Sequence, residues 1–362
     1  MTTKVYNFSA GPAALPKEVM LKVQNEFVNY QNSGVSIIEC SHRSPAFLEV
    51  LAKAEANIRE LMEIPESYEV IFAHGGATMQ FAMLPMNLLP EGGVADYIDT
   101  GRWSQRAINE AEIFGEINVA ASGKLTDYGS IPAFDSWKLN PKSSFLHYTS
   151  NNTVYGTQFN EVPAVDHLVV DMSSDILSAE IDVSKFDLIY AGLQKNLGPS
   201  AVALVIIKKE LLKQNLRPMP SLMNYTTLAN NNSMFNTPNT FAIYLFSLVT
   251  EWVKEQGGVK EIEKLNREKA ALIYSSIDES NGFYTGLAKV DDRSIMNVCF
   301  TLPTPELTQQ FIAEATTQNL LALAGHRSVG GIRASIYNAM PLSGVVKLTN
   351  FMGAFYKKSS TF

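Results

Sequence analysis

A chain of 362 residues, 46% hydrophobic and 18% charged, holds enough apolar material for a large core or two unequal domains of a soluble globular protein. Its 29 Lys and Arg against 36 Asp and Glu give a net charge of −7 with no basic run, which argues against a nucleic-acid partner; its longest apolar stretches, 201–207 and 241–249, are too short to span a membrane. Two cysteines, Cys40 and Cys299, exclude a disulfide framework, and no apolar signal core follows Met1, so the expected location is cytoplasmic.

Residues 1–15 read as an ordered N-terminal arm punctuated by Gly11-Pro12. Pro16 opens a predicted helix with Val19, Met20, Val23 and Phe27 at helical spacing. A second helix runs from Pro45 to about residue 62 and repeats that spacing at Phe47, Leu51, Ala54, Ile58 and Leu61. A strand at 68–73 passes through a Gly-Gly turn into a helical pattern containing Phe81 and Leu84. Short apolar strands follow at 94–98, 145–148, 168–170, 188–191 and 201–207, alternating with helices. Continuous apolar strands in such an alternation predict an α/β fold with a mostly parallel sheet buried on both faces.

The helix predicted at 241–255 is stopped by Gly257-Gly258, where the composition shifts. Beyond it, helices at 262–277, 306–318 and 345–355 and strands at 295–300 and 332–336 form a smaller α+β unit. The expected organisation is an arm (1–15), a large domain (16–258) and a small C-terminal domain (259–362), with the active site at the junction of the two domains.

Lys195 lies between two apolar strands, in a segment entered at Gly192 and closed by Gly198-Pro199. Holding a lysine between buried strands is costly because desolvation disfavours its charged form, and one use that offsets the cost is a Schiff base. Asp171 ends the preceding apolar strand. A lysine and an acid at the tips of neighbouring strands match the needs of pyridoxal phosphate: the amine tethers the aldehyde, and the acid keeps the pyridinium nitrogen protonated. The structural alternative for Asp171 is an N-cap of the segment that follows it. His74-Gly75-Gly76-Ala77-Thr78, between a strand and a helix, offers free backbone N–H groups to an anion, although a plain strand-to-helix turn explains Gly-Gly as well. The Gly-rich segment 325–331 around Arg327, with Arg333 just beyond, has little reason to carry charge for folding, and Arg suits carboxylate recognition. No HExxH, P-loop or metal-ligand spacing is present, and no metal is expected. Cys40 and Cys299 both lie in apolar runs that read as buried and inert, which argues against a cysteine-dependent lyase on the same scaffold.

Several ordered motifs, Asn7-Phe8-Ser9-Ala10-Gly11-Pro12, Ser41-His42-Arg43, His74-Gly75-Gly76, Ala191 to Asn196, Met234 to Pro238, Gly325-His326-Arg327 and Ile336 to Pro341, run nearly end to end. With them the chain resembles the phosphoserine aminotransferase family, class V, fold-type I enzymes that depend on pyridoxal 5'-phosphate. The resemblance implies a large cofactor-binding domain, a Schiff base on Lys195 with Asp171 at the ring nitrogen, and Ala77, Thr78 and Gln194 at the cofactor phosphate. It implies Trp103 stacked on the ring and Thr153 near the 3′ oxygen. Asn236 and Thr237 would complete the site of the neighbouring subunit in a homodimer. Arg333 would take the substrate α-carboxylate; His42, Arg43, His326 and Arg327 would surround the distal group, with Ser9 also at the substrate. The implied reaction is transamination between L-glutamate and 3-phosphohydroxypyruvate giving O-phospho-L-serine and 2-oxoglutarate, in serine biosynthesis, with the 4-phosphohydroxythreonine step of pyridoxine biosynthesis as a second role. Thr78 stands where some members carry arginine, which leaves the recognition of the distal group open at that position.

Overall fold

The computed structural model describes residues 4–214 and 216–360. Its centre is a seven-stranded sheet in the spatial order Tyr68–His74, Val202–Lys208, Leu188–Gly192, Leu168–Asp171, Ser143–Thr149, Val94–Asp99, Glu116–Ser122. Six strands run parallel; Val202–Lys208 is antiparallel to both of its neighbours. The C-terminal ends of the parallel strands, His74, Asp99, Thr149, Asp171 and Gly192, therefore share one edge of the sheet, the edge at which open α/β sheets take their ligands.

Alternate residues of these strands feed two cores. Val70, Phe72, Ile189 and Ile206 face the layer of Pro45–Leu61 and Thr240–Glu255, whereas Ile71, Ala73, Leu188 and Val205 face the layer of Gly76–Leu88, Arg102–Ala111 and Tyr225–Asn230. Burial on both faces is why the strands read as unbroken apolar runs, and each fully buried Leu or Ile stabilises the fold by roughly 1.5–3 kcal/mol. Helix Pro45–Leu61 starts as its sequence predicts, with Pro at the first turn and the Ser44 hydroxyl accepting from Phe47 N at 3.4 Å.

A second, three-stranded sheet, Ile332–Ser335, Asn297–Thr301, Thr285–Gly286, packs with helices Gly258–Asp278, Pro305–Thr317 and Leu342–Ser359 around a separate core. The N-terminal arm joins this core: Tyr6 and Phe8 are buried in it, and Tyr6–Asn7 pairs in parallel with Leu320–Leu321. Helix Gly258–Asp278 straddles the two regions, with Val259 and Ile262 in the large core and Ala270, Ile273 and Ile277 in the small one.

Several sequence expectations need correction. The first helix is Lys17–Glu26, and of its predicted stripe only Val19 and Val23 are buried; Met20 and Phe27 are exposed, because the helix lies on the surface with a narrow inner face. Residues 35–40 form turns and no strand, and Cys40 is only partly buried. The polar stretch 230–233, whose composition reads as irregular, is a helix end and turn, and Ser233 is buried, its hydroxyl accepting from Phe72 N at 2.9 Å. The sequence reading did not place strand Glu116–Ser122, in which Asn118 interrupts the apolar residues, or helices Arg102–Ala111 and Tyr225–Asn230, at least half of whose residues are polar.

Candidate active site

A cavity of about 510 Å³ opens at the C-terminal edge of the large sheet. Lys195, Asp171, Ala77, Thr78, Trp103, Thr153, Gln194, His326 and Arg333 all line it, so nine residues singled out in the sequence meet in one place. Ser9, His42, Arg43, Asn236, Thr237 and Arg327 are not among its lining residues. Asn236 is held at the back of the Gly75-Gly76 turn, its Oδ1 3.0 Å from His74 Nε2.

Lys195 occupies the connection between strands Leu188–Gly192 and Val202–Lys208, a turn closed by Leu197 N and Gly198 N, both donating to Leu193 O. Gly192 is needed there, since a Cβ would fall 2.7 Å from Gln194 Oε1 and 3.3 Å from the Ala77 methyl. Burial pushes the Lys195 amine below its usual range and Arg333 adds to that, while Asp171 and Asp175 oppose it. The amine stands 5.6 Å from the centroid of the Trp103 ring, and the Trp103 indole N–H donates to the Thr153 hydroxyl at 3.0 Å.

Asp171 is pushed up by burial, against the pull of Lys195 and of its hydrogen-bond donors. Its Oδ1 accepts from the Ser173 backbone N–H at 2.9 Å and the Ser173 hydroxyl at 2.6 Å. The same hydroxyl oxygen accepts from Gly192 N at 2.9 Å, tying the acid to the end of the lysine's own strand. Tyr190, paired with Asp171 across the sheet, lies 3.0 Å through its hydroxyl from His147 Nε2. Burial holds His147 down to about 3, so the ring is neutral, and it stacks on Tyr97 with centroids 4.7 Å apart. Ser173, Tyr190 and His147 thus support the acid, and sequence reasoning missed all three because neither a polar side chain inside an apolar strand, as at Tyr190 and His147, nor a serine in the turn after one carries a local signal.

The N-terminal arm forms another wall. Ala10, Gly11 and Pro12 line the cavity, Ala13 N donates to Gln194 O at 2.9 Å, and the Tyr337 hydroxyl donates to Ala10 O at 2.8 Å. A Cβ on Gly11 would lie 3.6 Å from Lys195 Cγ, so the arm runs close beside the lysine. Across the mouth, Arg333 donates to Thr153 O at 3.0 Å. His326 is lowered by burial first and then by Arg102, Arg333 and Arg327, which marks a cationic rim. Arg106, one turn beyond Trp103, lines the cavity as well, its guanidinium 5.7 Å from the Trp103 centroid.

The family model of aminotransferase class V matches residues 5–348. The phosphoserine aminotransferase of Halalkalibacterium halodurans is 51% identical over 98% of this chain and 99% of its own length. The chain belongs to the class V aminotransferases, and to the phosphoserine aminotransferases among them. Solved relatives agree: phosphoserine aminotransferase from Bacillus circulans subsp. alkalophilus superimposes with a TM-score of 0.96 at 45% identity, covering 98% of this chain and 99% of that one. The pyridoxal-phosphate-bound enzyme of Trichomonas vaginalis gives 0.93 at 37% identity, covering 97% and 100%. The protein is therefore an aminotransferase of serine biosynthesis that uses pyridoxal phosphate and acts on small molecules.

The residues present fit that cofactor. A primary amine and a carboxylate share one cavity with a flat indole face, and the backbone of Gly75 and Gly76, at φ 84° and 62°, opens the N-terminus of helix Gly76–Leu88 toward an anion. No helix among the described residues is long and apolar enough to cross a membrane.

Proposed function

We propose that the enzyme transfers the amino group of L-glutamate to 3-phosphohydroxypyruvate, giving 2-oxoglutarate and O-phospho-L-serine. The observation that supports this most is the convergence of Lys195, Asp171 and Arg333 on one cavity. Lys195 is the tether of the cofactor and the base of the reaction. Asp171 holds the ring nitrogen protonated, Trp103 covers the ring, Thr153 stands near the 3′ oxygen, and Ala77, Thr78 and Gln194 receive the phosphate. Bound there, pyridoxal phosphate supplies an electron sink for the pair left at the substrate Cα.

The protein's own part is proton handling and orientation. Desolvation lowers the Lys195 amine, which favours the neutral form that takes the Cα proton. Arg333, fixed by Thr153 O, holds the α-carboxylate and so sets which Cα bond faces that amine. Burial raises Asp171 and the donors on its Oδ1 oppose that, so a cationic ring nitrogen beside it would favour the ionised acid. The arm at Gly11-Pro12 forms the wall of the cavity beside the lysine.

The distal carboxylate or phosphate falls to His42, Arg43, His326 and Arg327, with Ser9 nearby. His42 and Arg43 lie outside the cavity of their own chain, and so do Asn236 and Thr237, which supports a homodimer whose subunits complete each other's sites. The arm, the large unit to residue 258 and the small unit from 259 are the moving parts of this reading, in a cytoplasmic enzyme; the 4-phosphohydroxythreonine step of pyridoxine biosynthesis is a second substrate pair that the same rim would take.

The test is the visible absorbance of the purified holoenzyme. Glutamate should bleach the yellow band and 3-phosphohydroxypyruvate should restore it. A band indifferent to glutamate sinks the substrate reading, and one that bleaches but does not return with the phosphorylated keto acid sinks the second half-reaction.

A further inference from the structure

Lys269 is fully buried on helix Gly258–Asp278, and no carboxylate approaches it among the described residues. Its Nζ donates to Ile336 O at 2.8 Å, Tyr337 O at 2.8 Å and Met340 O at 3.1 Å, so its three N–H bonds are met by three carbonyls of one segment. One turn earlier on the same helix, buried Asn266 donates to Asn338 Oδ1 at 2.8 Å and to Ser178 O at 3.1 Å. Asn338 passes the contact on in two directions. Its backbone N–H donates to Asn196 Oδ1 at 3.0 Å, beside Lys195, and its side chain donates to Leu177 O at 2.8 Å, in the loop that follows Asp171. Asn196 in turn donates to Ile176 O at 3.0 Å. The same segment supplies Tyr337, whose hydroxyl holds the arm at Ala10, and it continues directly from strand Ile332–Ser335, which carries Arg333.

As a stabilising device this is poor. A buried ammonium without a counter-ion costs several kcal/mol of desolvation, and an apolar side chain of similar volume would pack there more cheaply. Burial pushes the amine down to about 7, against the three carbonyls that favour its charge. What the arrangement supplies is orientation, because a tripod of directed bonds fixes a backbone segment that apolar contact would let slide.

We propose that Lys269 is a positioning residue for the transamination: with Asn266 it clamps segment 336–340, and through Asn338 it sets the loops of Lys195 and Asp171 relative to each other and to Arg333. The inference rests on the proposed roles of those three residues. Lys269 touches no reacting atom; it acts through Asn338 and Asn196.

The experiment is Lys269→Met in the full chain, read by amide hydrogen exchange and by steady-state kinetics of the holoenzyme. Exchange should accelerate at 172–178 and 193–198, far along the chain from the substitution, and kcat should fall by about tenfold with a smaller change in KM, as loosened orientation predicts. Asn196→Ala is the second variant, which leaves the Lys269 tripod untouched. It should accelerate exchange at 193–198 and lower kcat while 336–340 stays protected, and adding it to Lys269→Met should cost less than the sum of the two. The proposal is overturned if Lys269→Met speeds exchange only at 258–280 and 332–345 with kcat unchanged, or if the two variants act additively. It is equally overturned if Asn196→Ala leaves both 193–198 and kcat at the native level, which decides the matter should Lys269→Met not fold. Exchange does not involve the cofactor, so a wrong role for Lys195 would show instead as a missing visible band in the native holoenzyme.

Discussion

The floor and the rim of the cavity are built on different terms. The floor, Lys195, Asp171, Ser173, Gly192 and Tyr190, is set at adjacent strand ends of one buried sheet, and Asp171, Ser173, Gly192 N and Tyr190 are each held by a named partner in the same chain. The rim, His326, Arg327 and Arg106, sits on loops and a helix surface, largely exposed, with no acid partner for either arginine among the described residues; His42 and Arg43 do not line the cavity of their own chain. A rigid floor suits chemistry that is the same for both substrates. A cationic, adaptable rim suits the proposed pair of substrates, whose end group is carboxylate in one half-reaction and phosphate in the other. Reaction type is thus written in the sheet and substrate choice in the loops, which is the division expected when one scaffold hosts many chemistries.

The largest expected effect breaks the floor. Lys195→Ala should lower kcat by at least about 10³-fold, since it removes both tether and base, with the loss of the visible band as the parallel readout. Turnover within tenfold of native would end the assignment of Lys195. The rim is tested by sharing. Lys195→Ala and Arg43→Gln chains, each nearly inactive alone, should recover about a quarter of native activity when mixed and allowed to exchange subunits, because half of random pairs hold one site with an intact floor and a partner's intact rim. No recovery, with exchange shown by differently tagged chains, would place Arg43 outside the partner's site. The smallest effect lies behind the floor. Asp175, raised to about 6 chiefly by burial, accepts from the Ser150 hydroxyl at 2.5 Å and from Gln158 at 3.2 Å. A carboxyl whose folded value is raised stabilises the fold below its unfolded value near 3.8 and loses that contribution as pH rises through about 6. Asp175→Asn should therefore gain in Tm relative to the native chain as pH goes from 4 to 7; a difference that stays flat over that range would show that burial does not raise this group.

The floor could be read in the sequence because it obeys local rules. Leu168 to Asp171 is a short apolar run that ends on the proposed acid, Leu188 to Gly192 is one that ends three residues before Lys195, and Gly198-Pro199 marks the turn. The main sheet was legible for the same reason, except at its edge: Glu116–Ser122 has only one fully buried residue, Ala120, so no apolar run announces it. Helix Arg102–Ala111, which carries Trp103, hides behind four polar residues in its first five positions. His147 and Tyr190 were invisible as a pair because their contact is made across two strands and exists only once the sheet has formed. The arm was legible as ordered, but its approach to Lys195 depends on two segments far apart in the chain. Long-range pairings of this kind leave no trace in spacing or composition.

The reversed strand Val202–Lys208 gives the lysine a particular kind of neighbourhood. Every other loop at the functional edge belongs to a crossover that must travel along a face of the sheet before returning, whereas the connection after Gly192 doubles straight back as a hairpin, with Gly192 opposite Ala203 and Leu188 opposite Ile207. Its closure entropy is therefore small. Both ends of the Lys195 loop are pinned by one hairpin while its middle is held from afar, by Ala13 N on Gln194 O and Asn338 N on Asn196 Oδ1, so a nick in the backbone at Ser200 would leave both strands paired in the sheet and those distant anchors in place.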